Sequence, residues 1–134
     1  MTKQTKKIKT TKRPKLTPNT KLHLTRDGLR AYFKALPPTK NVGIREEACY
    51  CPVATFIKKN YSIPKRYDLE VLPGSVVLTD NTGSMWDDKT GTIFNSGWLE
   101  KFVLAIDTAE YLPEDDEWTP EVTAAEAYRA INRA

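Results

Sequence analysis

Apolar residues recur three and four places apart in four stretches of this chain and two places apart in one, and these periods predict its elements. After Thr25, a suitable N-cap, Leu29, Tyr32, Phe33 and Leu36 share one helical face until Pro37-Pro38 stops it. Pro52 suits the first turn of a second helix, which lines up Val53, Phe56, Ile57 and Tyr61. Between the two, Asn41, Val42 and Gly43 read as a loop. From Tyr67 the period changes to two: Tyr67, Leu69 and Val71 alternate with Asp68 and Glu70, Pro73-Gly74 supplies a turn, and Ser75–Thr79 is a β-branched run. Together these predict a β-hairpin. Thr92, Ile93 and Phe94 add a third short strand after a Lys89-Thr90-Gly91 turn.

Asn95 and Ser96 cap the strongest helix, in which Trp98, Phe102, Ala105, Ile106 and Ala109 form one apolar face ended by Pro113. The last helix opens at Thr119-Pro120 or at Thr123, where Glu126 completes the T-x-x-E spacing of a capping box, and it carries Ala127, Tyr128 and Ile131. A small antiparallel sheet needs helices on at least one face to bury it, so the class is α+β: a hairpin with a possible third strand against about four helices. Residues 22–134 are the size of one domain with one core.

Charge changes the picture at the N-terminus. The first 21 residues hold eight cations (Lys3, Lys6, Lys7, Lys9, Lys12, Arg13, Lys15, Lys21) and no acid. The remaining 113 residues hold 13 cations and 17 acids, so the net +4 is a +8 arm on a −4 body. Pro14 and Pro18 keep the arm from being helical, and its composition predicts a flexible, disordered segment over 1–21. Such an arm suits a polyanion, because each cation that meets a phosphate releases a counterion without needing fixed geometry. It has no aromatic side chain before Tyr32, so it positions a nucleic acid and does not read it. Arg26, Arg30 and Lys34 recur every fourth residue along the first helix and extend the positive stripe. Lys58, Lys59, Lys65 and Arg66 make a second patch, although a solvated surface explains the same cations nearly as well.

Candidate chemistry adds little. Cys49, Cys51 and the single His23 fall short of four zinc ligands, and two cysteines one residue apart suit free thiols better than a strained mutual disulfide. Cys51 stands before a helix start, where amide groups lower a thiol pKa, but no partner completes a nucleophilic site, and a core or capping thiol is the plainer reading. The acids Asp80, Asp87, Asp88 and Glu114–Glu117 lack the spacing of a calcium loop, and the dispersed glycines form no phosphate-binding loop. No G-x-S-x-G accompanies the lone histidine. The expectation is a protein without catalytic activity or cofactor. With no long apolar run and no secretory leader, it is expected to reside in the cytoplasm away from membranes.

Leu29–Leu36 with Pro37-Pro38, then Val42-Gly43, Cys51-Pro52-Val53-Ala54 and the Thr123-Ala124-Ala125-Glu126 helix start resemble a pattern found in small uncharacterised bacterial and phage-encoded proteins. The resemblance implies a bacterial cell or a virus-infected host and assigns no residue a role. The functional expectation is an accessory protein of a nucleoprotein assembly whose arm holds RNA or DNA while the acidic body meets a protein partner. The alternative is an adaptor or inhibitor that binds protein through the body and uses the arm for electrostatic steering.

Overall fold

The computed structural model describes residues 13–81, 90–108 and 119–134. Its elements are α1 (Arg26–Ala35), β1 (Asn41–Ile44), α2 (Pro52–Asn60), β2 (Tyr67–Leu72), β3 (Ser75–Asp80), β4 (Thr90–Asn95), α3 (Gly97–Thr108), β5 (Glu121–Thr123) and α4 (Ala124–Arg133). The class is α+β, with four helices, an antiparallel β2-β3-β4 sheet and a separate antiparallel β1-β5 ribbon among the described residues. None of these helices is long and apolar enough to cross a membrane.

Local chemistry sets most boundaries. The Thr25 hydroxyl accepts from the Gly28 N–H at 2.9 Å and starts α1, and Pro52 occupies the first turn of α2. Of the two starts open to α4, the chain takes Thr123: its hydroxyl accepts from the Glu126 N–H at 3.2 Å while the Glu126 carboxylate accepts from the Thr123 N–H at 3.4 Å. Gly74 takes φ +87° in the β2–β3 turn, a conformation that strains residues with a Cβ. The acids Asp87, Asp88 and Glu114–Glu117, with Trp86, Ala109, Pro113 and Trp118, lie outside the described residues.

Leu69, Val71, Val76, Leu78 and Ile93 bury one face of the sheet in a cluster shared with Leu29, Phe33, Ile57, Leu99, Phe102, Ile106 and Ile131. Phe33 and Phe102 stack at 5.8 Å and join α1 to α3. The start of α1 meets the end of α4, with the Arg26 side chain donating to the carbonyls of Ile131 and Asn132 at 3.1 and 3.0 Å. Those carbonyls end α4, where the Ala134 N–H also donates to Ile131 at 3.3 Å, so Arg26 adds a side-chain cap to a neighbouring helix.

Three expectations need correction. Asn41–Gly43, read as a loop, is strand β1, which pairs Asn41 with Thr123 and Ile44 with Glu121. A Cβ on Gly43 would stand 2.5 Å from the Pro52 nitrogen, so this glycine is there for close approach of α2 and not for a turn. Thr90 and Gly91, read as a turn, already belong to β4, where Gly91 pairs with Leu78 and lets the Pro18 carbonyl approach to 2.3 Å from where a Cβ would stand.

The third correction concerns the arm. Residues from Pro14 to Lys21, read as part of a flexible segment, are bound to the body: Ser62 donates to the Pro14 carbonyl at 2.8 Å, and Leu16 donates to the Ser62 carbonyl at 2.9 Å. Leu16 is fully buried, and the next anchor is Leu22, donating to Ile93 at 3.0 Å. One leucine among lysines and prolines buries enough apolar surface, about 1.5–3 kcal/mol, to dock a segment whose charges stay in water.

Candidate nucleic-acid interface

The root of the arm, residues 13–23, contributes to three neighbouring clefts that share wall residues. Thr17 and Thr20 close it into a turn, with the Thr20 N–H donating to the Thr17 carbonyl at 2.9 Å and the Thr17 N–H to the Thr20 hydroxyl at 2.8 Å. The first cleft, about 400 Å³, is lined by Arg13, Lys58, Tyr50, Tyr61 and Tyr67, with Ser62, Asp68 and Cys49 among its polar walls. A second, about 340 Å³, shares Tyr67 and adds Arg66, Asp80 and Thr17–Asn19. A third, about 560 Å³, shares Pro18 and Asn19 and adds Lys21, His23 and the outer edge of β4. Arg13, Lys21, Lys58 and Arg66 against Asp68 and Asp80 leave this track at +2, with four cations minus two acids.

Arg13 Nη1 donates to the Lys58 carbonyl at 2.8 Å and so caps the C-terminal end of α2. The Lys58 ammonium donates to the Cys49 carbonyl at 2.6 Å and lies 4.3 Å from the centre of the Tyr50 ring. Tyr50 is 55% exposed, the most exposed of the large apolar side chains described. Arg66 lies 5.4 Å from the Tyr67 ring and pairs with Asp80 at 2.7 Å, which raises the already high guanidinium pKa. Lys59 lies 5.7 Å from the Tyr32 ring, which packs edge-on to Phe56.

The residues expected to meet phosphate divide into three groups. Lys3, Lys6, Lys7, Lys9 and Lys12 lie outside the described residues. Arg13 and Lys21 line the track, and Lys15 is exposed on the stretch between them. On α1, Arg26 is engaged with the end of α4, Arg30 pairs with Asp27 at 3.0 Å, and Lys34 is exposed; none of the three lines these clefts. Sequence reasoning passed over Tyr50, Tyr61 and Tyr67 as interface residues. The available signal was their position beside the second cationic patch, in Lys59-Asn60-Tyr61 and Lys65-Arg66-Tyr67.

A contrasting cleft of about 240 Å³ borders the β1–α2 connection, lined by Glu46, Glu47, Ala48, Cys51, Val71, Leu72, Pro73, Val103 and Asp107. Its loop turns at Glu46, whose φ of 60° is left-handed and whose N–H donates to the Asp107 carboxylate at 2.9 Å. Behind it Arg45 is buried and pairs with buried Glu126, while also donating to the carbonyls of Thr119 at 2.7 Å and Ile106 at 2.9 Å. Burial pushes the Cys51 thiol up to about 11 against the pull of the Val53 and Ala54 amides at the helix start, so it is a protonated core thiol at neutral pH. Cys49, Cys51 and His23 line three different clefts and do not converge.

No family model matches this chain, and neither the curated proteins nor the solved structures provide a match.

Proposed function

We propose that this chain is a non-enzymatic accessory protein of a nucleoprotein assembly, acting inside a bacterial or virus-infected cell, whose basic N-terminal arm holds the phosphates of RNA or DNA. The observation that carries the reading is continuity. Eight cations fall in the first 21 residues, and the described part of that segment enters the fold through clefts lined by further cations, Lys58 and Arg66. Lysines upstream supply long-range attraction and counterion release, while the anchored root fixes where the strand meets the body.

A second reading, an adaptor or inhibitor that binds protein through its body, draws support from the acidic cleft. Leu72 lines it at 39% exposure and Leu104, 46% exposed, adjoins its Val103 wall in sequence. In that reading the arm only speeds encounter with a partner.

The test is a salt titration of binding to short RNA and DNA, comparing the full chain with one that begins at Arg13. The cut belongs there because Leu16 is core. Removing five lysines lowers the salt slope on duplex DNA by about four to five, at ~0.9 per phosphate contact, and weakens binding steeply at low salt. Equal slopes for the two chains would refute the arm's role. Absence of binding by the full chain leaves the protein-binding reading.

A further inference from the structure

We infer that the cleft between Arg13, Tyr50 and Tyr67 seats an unpaired nucleobase, which makes the ligand a single strand and not a duplex. The inference rests on the nucleic-acid reading above and goes beyond it, since a lysine arm by itself holds paired and unpaired strands alike. Three observations converge on a base. Stacking needs an accessible ring, and Tyr50 is a 55% exposed residue whose ring is held by the Lys58 ammonium 4.3 Å from its centroid. The cleft is about 400 Å³, within the range that holds a small organic group, and its lining includes Ser62, Tyr61, Tyr67 and Asp68, residue types that can hydrogen-bond the polar edge of a base. Arg13 and Lys58 supply positive charge in the same wall for the phosphate that accompanies the base.

The succession of clefts favours a strand over an isolated nucleotide. Tyr67 is common to the first and second clefts, and Pro18 and Asn19 to the second and third, so the three are neighbours along the root with Lys21 and His23 in the last. A cationic groove with aromatic platforms is the physical recipe for binding single strands with little sequence preference. Bases in a duplex are stacked on one another and cannot enter such a cleft without being flipped out, at a cost of several kcal/mol. The acidic cleft has none of these properties: three carboxylates line it and no aromatic ring does.

The experiment measures anisotropy of labelled ten-residue oligo-dT and oligo-U and of a ten-base-pair duplex, with the full chain and its Tyr50→Ala and Tyr50→Phe variants. Tyr50→Ala weakens single-strand binding about five- to a hundred-fold, leaves duplex binding and the salt slope unchanged, and Tyr50→Phe restores binding to within about twofold. Equal affinity for the two oligomers identifies stacking as the whole of recognition, and preference for oligo-U adds contact with the 2′-hydroxyl; both outcomes sustain the base seat. Full single-strand binding by Tyr50→Ala, with the salt slope intact, overturns the base seat and leaves the arm reading standing. If the full chain binds neither strands nor duplex, both proposals fall together.

Discussion

Two clefts share the stretch 46–51 and strand β2 as walls, and they carry opposite charge. The one at the arm's root has Arg13 and Lys58 against Asp68, with three tyrosines; the other has Glu46, Glu47 and Asp107, no cation and no aromatic ring among its lining residues. The tripeptide Cys49-Tyr50-Cys51 passes from one to the other, with its first two residues on the basic side and its last on the acidic side. Segregation of charge along the chain therefore reappears as segregation in space, a few residues apart. Under the proposed function, the basic side meets the polyanion and the acidic side disfavours it, which would orient the complex.

The largest test of this division concerns the fastening of the acidic wall. Arg45 directly precedes Glu46 and Glu47 and ties that loop to the end of α3, to the approach to β5 and to Glu126 of α4. Arg45→Ala leaves the Glu126 carboxylate buried without its counter-charge and several carbonyls without donors, and is expected to cost about 3–5 kcal/mol in urea unfolding. A loss below about 1 kcal/mol would mean that the loop holds its shape without the ion pair and that the acidic wall is set by the backbone alone.

The basic side is fastened differently, by burial of a single side chain. Leu16→Ala is expected to lower stability by about 2–5 kcal/mol, toward the lower end because a segment at the edge of the fold can relax into the space. It also frees the root, so single-strand binding falls while attraction to the upstream lysines persists. Unchanged stability would show that the root is carried by its hydrogen bonds to Ser62 and Ile93 and that its apolar anchor is dispensable.

The contrast between the two fastenings explains what could be read from the sequence. Four helices and the hairpin were legible because their signals are local: Thr25 and Thr123 at N-caps, Pro52 in a first turn, Pro73-Gly74 between alternating strands. Strand β1 was not, since four residues with a glycine show no period and their partner lies some eighty residues on, at Thr123. Leu16 gave no signal because one apolar residue has no periodicity, and Arg45 reads as an ordinary surface cation until Glu126 is brought beside it. The candidate site was legible in its charge and hidden in its rings. Tyr61 and Tyr67 belong to a helix face and a strand alternation by pattern, and only folding brings them to Tyr50 and Arg13.

The smallest effect bears on the two thiols, which report separately on the two sides. Cys51 has a folded pKa raised from 9.0 to about 11, so protonated thiol is favoured in the native state. Its contribution is fully present below the unfolded pKa and is lost as pH rises from about 9 toward 11, because the unfolded chain ionises first; the loss is about 2–3 kcal/mol. Tyrosines and lysines titrate nearby, so the measurement is the difference in alkaline unfolding between the native chain and Cys51→Ala, whose stability declines less steeply across that window. Cys49 is half-buried in the wall of the basic cleft. At neutral pH a thiol reagent therefore labels Cys49 well before Cys51, and an oligonucleotide seated beside Tyr50 slows labelling of Cys49 alone. Equal reactivity of the two thiols would contradict the burial of Cys51. Protection of neither by a bound strand would place that strand away from the cleft, on the arm alone.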